Sequence, residues 1–94
     1  MEIRDVIILP RVLAKMEAKH NVKGYEVREI FDNRPHFRYI ERGKVVGEDL
    51  YAVLGQTNAG RYLKAFFVYK RNKDALVITA FDMNRKERRQ YART

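Results

Sequence analysis

The chain has 94 residues, 46% of them hydrophobic and 12% aromatic, with no cysteine and a net charge of +8. That length makes one small domain spanning 1–94, and the composition is too apolar for a disordered chain. Disulfides, thiolate metal sites and cysteine nucleophiles are excluded together. The longest uncharged apolar run, Val6–Pro10, is far too short for a membrane span, so a cytoplasmic protein with no membrane partner is the expectation. Twenty Lys and Arg against twelve Asp and Glu point to an anionic partner: nucleic acid, an anionic surface or an acidic protein.

The first helix is expected over Val6 to Lys19, where Leu9, Val12, Leu13 and Met16 recur at helical spacing. Pro10 fits its first turn. Lys19 and His20 suit the negative end of the dipole, and Asn21 suits a left-handed cap. A second helix is expected from Gly24 to Asp32, with Val27, Ile30 and Phe31 inward, ending before Pro35. From Phe37 the period changes to two. Two strands flank a loop at Arg42–Asp49, Arg61–Lys70 forms a third strand, and Ala75–Phe81 forms a fourth. Short turns between successive strands imply an antiparallel meander covered on one face by the two helices. Asn84 followed by Glu87 resembles a capping box and opens a last helix. The expected fold is therefore α+β: two N-terminal helices on a four-stranded antiparallel sheet, then a short C-terminal helix.

Four stretches carry a resemblance: KHNV at Lys19–Val22, EVREIFDN at Glu26–Asn33, LGQTNAGRYL at Leu54–Leu63, and VITAFDMNRKERRQY at Val77–Tyr91. In this order they resemble the BrnT family of bacterial type II toxins. That family's patterns are Lys/Arg-His-Gly-Val, Gly-Arg-Thr-x-x-Gly-Arg, Ile-Ser/Thr-Ala-Arg and Glu-Arg-Arg-x-Tyr. The resemblance implies a fold like that of RelE-type ribonuclease toxins and a metal-independent endoribonuclease activity without cofactors. It also implies a cognate BrnA-like antitoxin with a ribbon-helix-helix domain, held in a dimer or hetero-oligomer. This chain departs from the family's usual residues at Phe81 (arginine), Ile8 (often tryptophan), Asn21 (glycine) and Gln56 (arginine).

Cleavage through a 2′-OH needs a base, positive charge at the phosphate and a proton for the leaving 5′-oxygen. His20 matches the family histidine, though it could equally cap the first helix. Lys19 and Arg61 are candidate phosphate-binding cations, with a solvated strand end the alternative for Arg61. Lys64 either lines the groove or forms a cross-strand pair. Glu87 closes the capping box or orients an arginine. Tyr91 anchors the last helix or reaches substrate. Arg85, Arg88 and Arg89 form the densest basic patch, suited to an RNA backbone or an acidic antitoxin segment. Phe81 cannot bind phosphate but could stack on a base. His36 is expected on the surface. A catalytically degenerate module that binds antitoxin or RNA without cutting is the competing reading.

Overall fold

The computed structural model describes residues 1–93. In chain order its elements are β1 (Val6–Ile7), α1 (Pro10–His20), α2 (Gly24–Asp32), β2 (His36–Glu41), β3 (Leu50–Gln56), β4 (Tyr62–Tyr69), β5 (Ala75–Asp82) and α3 (Arg85–Arg93). The α+β class is as expected, but the sheet is five-stranded and mixed, in the order β1-β5-β4-β3-β2. Strands β2 to β5 form the expected antiparallel meander. The addition is β1, which pairs in parallel with β5 through Val6↔Ala75 and Ile7↔Leu76.

This corrects the start of the first helix. Val6 and Ile7 are β-branched and find backbone partners on β5 rather than helical ones. Flanking bonds from Arg4 N–H to the Lys73 carbonyl (2.9 Å) and from Ala75 N–H to the Asp5 carbonyl (2.8 Å) extend the pairing. The Arg4 guanidinium grips the Asp74 carboxylate with bonds of 2.8 and 2.9 Å. Helix α1 therefore begins at Pro10, whose missing N–H costs nothing there. Leu9, expected in the apolar stripe, is the N-cap residue instead and stands half-exposed.

Helix α1 stops where the sequence says it should. Asn21 adopts φ 52 and ψ 43, the left-handed conformation that asparagine tolerates. Its N–H bonds to the Glu17 carbonyl, and the Val22 N–H to that of Met16, satisfying two end-of-helix acceptors. Val22 is then drawn into the core with Met16, Val27, Ile30 and Phe31, against Val53, Leu63, Ala65, Phe67, Val77 and Ala80 of the sheet. Gly55 lets α2 settle this closely on β3. A Cβ there would lie 2.6 Å from the Ile30 carbonyl oxygen and 2.8 Å from the Ile30 Cβ.

Alternation along β4 divides the sheet. Leu63, Ala65 and Phe67 are buried beneath α1 and α2, while Tyr62, Lys64 and Phe66 face the other way. On that second face Ala52, Leu54, Met83 and Tyr91 form a smaller cluster with Tyr62 and Phe66. Helix α3 covers this end of the face, fastened by Tyr91. The Tyr91 side chain is buried, and its hydroxyl hydrogen points between the carbonyls of Asn33 (3.2 Å) and Arg34 (3.0 Å). The Arg34 guanidinium lies 4.7 Å from the centre of the Tyr91 ring.

Candidate nucleic-acid interface

The antiparallel register of β4 and β5 sets Lys64 opposite Phe81 and Phe66 opposite Thr79. On this face the ring of Phe81 meets that of Phe66 at 5.8 Å, tilted by 56°. From the other side comes His20, the last residue of α1, whose ring centre is 5.6 Å from that of Phe81 at 58°. Three rings thus run in sequence from His20 through Phe81 to Phe66. The Lys64 ammonium closes the row, 5.1 Å from the centre of the Phe66 ring. His20 is exposed and Phe81 half-buried. Lys19 is exposed beside His20 on the same last turn.

Lys64 is also tied to α3, with Nζ 2.6 Å from Glu87 Oε2. The other Glu87 oxygen accepts the Asn84 N–H at 3.0 Å, and Asn84 Oδ1 accepts the Glu87 N–H at 2.8 Å. The capping box read from the sequence is therefore formed, and the same carboxylate serves the ion pair with Lys64. Burial pushes the Glu87 carboxyl up. The Lys64 hydrogen bond, the Asn84 N–H and the charges of Lys64 and Arg38 outweigh it, leaving Glu87 below the usual carboxylate range.

Arg61 lies at the meeting of α1, α2 and β5. Its Nε donates to Asp82 Oδ1 (2.8 Å) and one terminal nitrogen to Asp82 Oδ2 (3.3 Å) and the His20 carbonyl (3.0 Å). The other terminal nitrogen donates to the Asn21 carbonyl (2.7 Å) and Glu26 Oε1 (3.1 Å). All of the guanidinium's five N–H groups are thus engaged within the protein. A phosphate-binding fork was expected here; the geometry instead makes Arg61 a knot that holds the C-terminus of α1, and with it His20, against the end of β5. Its turn is preset locally: Thr57 Oγ1 accepts the Arg61 N–H at 2.9 Å. The Arg61 hydrogen bond, with the charges of Arg61, His20 and Arg88, holds the Asp82 carboxyl below its ordinary value against the effect of burial. Hydrogen bonding to Asp82 likewise raises Arg61, so this guanidinium stays charged.

The basic residues of α3 are divided in their surroundings. The Arg88 guanidinium lies 4.8 Å from the centre of the Tyr62 ring. Together with Gly60, Arg61, Tyr62, Asp82 and Met83 it lines an open pocket of about 350 Å³. Arg85, Arg88 and Arg89 are all exposed. Tyr91 lies one turn beyond Glu87 on the same face of α3, its ring 6.0 Å from that of Tyr62 and its hydroxyl committed to the Asn33 and Arg34 carbonyls.

Three contributors were not singled out from the sequence. Asp82 and Glu26 complete the Arg61 knot, and Phe66 extends the ring row; of these, only the alternation of Lys64 with Phe66 gave a local signal. His36 departs from its expected surface position. It opens β2, half-buried, with its ring 4.6 Å from that of Tyr91. Burial, with the charges of Arg34 and Arg38, lowers its pKa and so favours the neutral ring.

Among the described residues no group of three or more His, Asp and Glu could hold a metal ion. Nor is any of their helices long and apolar enough to cross a membrane. No family model and no curated protein matches the chain.

Proposed function

We propose that the protein is a BrnT-like toxin, an endoribonuclease that works on the sheet face bounded by His20, Phe81, Lys64 and α3 and is neutralised by a BrnA-like antitoxin in the cytoplasm. The observation that carries this reading is the convergence of an exposed imidazole, a row of rings and several cations on one face. In the proposed reaction His20 takes the proton from the 2′-OH, whose oxygen attacks the adjacent phosphorus. The P–O5′ bond breaks, a 2′,3′-cyclic phosphate forms, and a proton from solvent passes to the leaving 5′-oxygen, while His20 returns the one it took to solvent. Lys19 and Lys64 offset the charge growing on the phosphoryl oxygens, and the exposed Arg85, Arg88 and Arg89 hold the flanking backbone. Glu87 orients Lys64, and Arg61 positions His20 by gripping the carbonyl of that same residue. Tyr91 supports the helix and touches no substrate.

A second reading is favoured by two features together: the saturated fork of Arg61, and a phenylalanine at position 81 where the resembled family has arginine. Both remove cations from the phosphate, as in a relative that binds RNA or antitoxin without cutting. Incubation of the purified protein with single-stranded RNA distinguishes the two. Cyclic-phosphate ends detected by mass spectrometry, and lost in His20→Ala, are expected; intact RNA at high enzyme concentration would give the second reading the field. Induced expression should arrest bacterial growth, with relief by the co-expressed antitoxin.

A further inference from the structure

At position 81 the chain presents an apolar ring on a face that also carries cations. Phe81 is half-buried, and both of its ring neighbours meet it obliquely, His20 at 58° and Phe66 at 56°. Contacts at these angles are tilted rather than parallel, so neither neighbour is stacked on the Phe81 ring, and together they fix its plane. The positive charge lies around the ring rather than on it: Lys64 across the strand pair from Phe81, Lys19 beside His20, Arg88 against Tyr62. The two carboxylates nearest the row, Glu87 and Asp82, are each already paired with a cation. An immobilised aromatic face bordered by cations is the arrangement that accepts an unstacked base while the backbone runs past in a positive field. A base inside a duplex is stacked on its neighbours and cannot reach a half-buried ring.

We propose that Phe81 is a base-stacking subsite that selects single-stranded over double-stranded nucleic acid. The inference rests on the reading of this face as the RNA side. An apolar ring carries no charge, so position 81 contributes to affinity without contributing to salt dependence.

The chain contains no tryptophan, so Phe81→Trp introduces a single indole reporter at the subsite. Titration with a single-stranded 2′-O-methyl oligoadenylate, which cannot be cut through its 2′-position, should quench that indole, and a 2′-O-methyl duplex should not. By fluorescence anisotropy, Phe81→Leu should weaken the single strand about ten- to a hundredfold, the worth of one base stack. It should leave duplex binding and the salt slope unchanged, while Phe81→Tyr retains affinity. Phe81→Arg should steepen the slope by about 0.7 on logarithmic axes, one added phosphate contact on a single strand. Circular dichroism controls for folding; if Phe81→Leu does not fold, the indole titration and Phe81→Tyr decide. An indole left unquenched at saturation, or equal losses for single strand and duplex, overturns the proposal, as does wild-type protein that fails to bind the single strand. Because the probe cannot be cleaved, a protein that stacks but does not cut refutes only the ribonuclease reading. One that cuts normally as Phe81→Leu refutes only the stack.

Discussion

Replacing Glu87 by glutamine removes a charge while keeping the shape and the cap, since glutamine also serves at the third position of a capping box. Lys64 and Glu87 are 18% and 12% exposed in their side chains and 2.6 Å apart. Breaking a fully buried pair costs about 3–5 kcal/mol and breaking an exposed one about 0–1. At this burial the loss should be about 2 kcal/mol. Glu87→Ala also leaves the Asn84 N–H without its acceptor, adding about 1 kcal/mol. For a domain of this size 2 kcal/mol lowers Tm by about 8–16 °C. The pH dependence follows from the depressed carboxyl. Glu87 binds its proton more weakly folded than unfolded, so its stabilisation is complete above the unfolded carboxylate range and fades as pH falls through the folded value. Glu87→Gln should therefore lose stability at neutral pH and converge on wild type in acid. Thermal melts from neutral pH to below the carboxylate range test both parts. Lys64→Met should restore part of the loss in the double variant, because it removes the stranded ammonium. Equal Tm values at neutral pH, or a difference that persists undiminished in acid, would show that the pair contributes nothing through charge.

Three further outcomes are expected. Gly55→Ala should cost about 1–3 kcal/mol in denaturant unfolding, because its Cβ meets the backbone of α2 and the helix must move off β3. Tyr91→Phe should cost about 1–2 kcal/mol and speed hydrogen exchange in α3, since it strips the hydroxyl that the Asn33 and Arg34 carbonyls share. Arg61→Lys should cost about 2–3 kcal/mol, as a three-donor ammonium cannot serve two carboxylates and two carbonyls at once. In that variant the Asp82 carboxyl should titrate at higher pH by NMR; an unmoved Asp82 would contradict its pairing with Arg61.

What could be read from the sequence was what local spacing encodes. The Asn21 cap, the inward residues of α2 and the Asn84–Glu87 box each depend on groups within four residues, and each is where periodicity and capping chemistry put it. Val6–Ile7 was misread because its strand partner, Ala75–Leu76, lies far along the chain. An apolar run leading into Pro10 carries no local sign of such a mate. The same holds for Arg61. Its residue type suggested an anion ligand, and nothing nearby in sequence announced that Asp82, Glu26 and two carbonyls at the end of α1 would occupy every donor. Ring order was half legible: Lys64 and Phe66 share a strand face by alternation, but the arrival of His20 depends on how α1 ends over β5.

The Arg61 knot has a kinetic side. Its partners lie 21, 35, 40 and 41 residues away in the chain, so they are all engaged together only once β4, β5 and both N-terminal helices have assembled. Contacts that close after such long loops form on the native side of the folding barrier. Their energy accordingly slows escape from the native state more than it speeds arrival. The guanidinium acts as a latch set last, and it should lengthen the lifetime of the assembled face more than it hastens its formation.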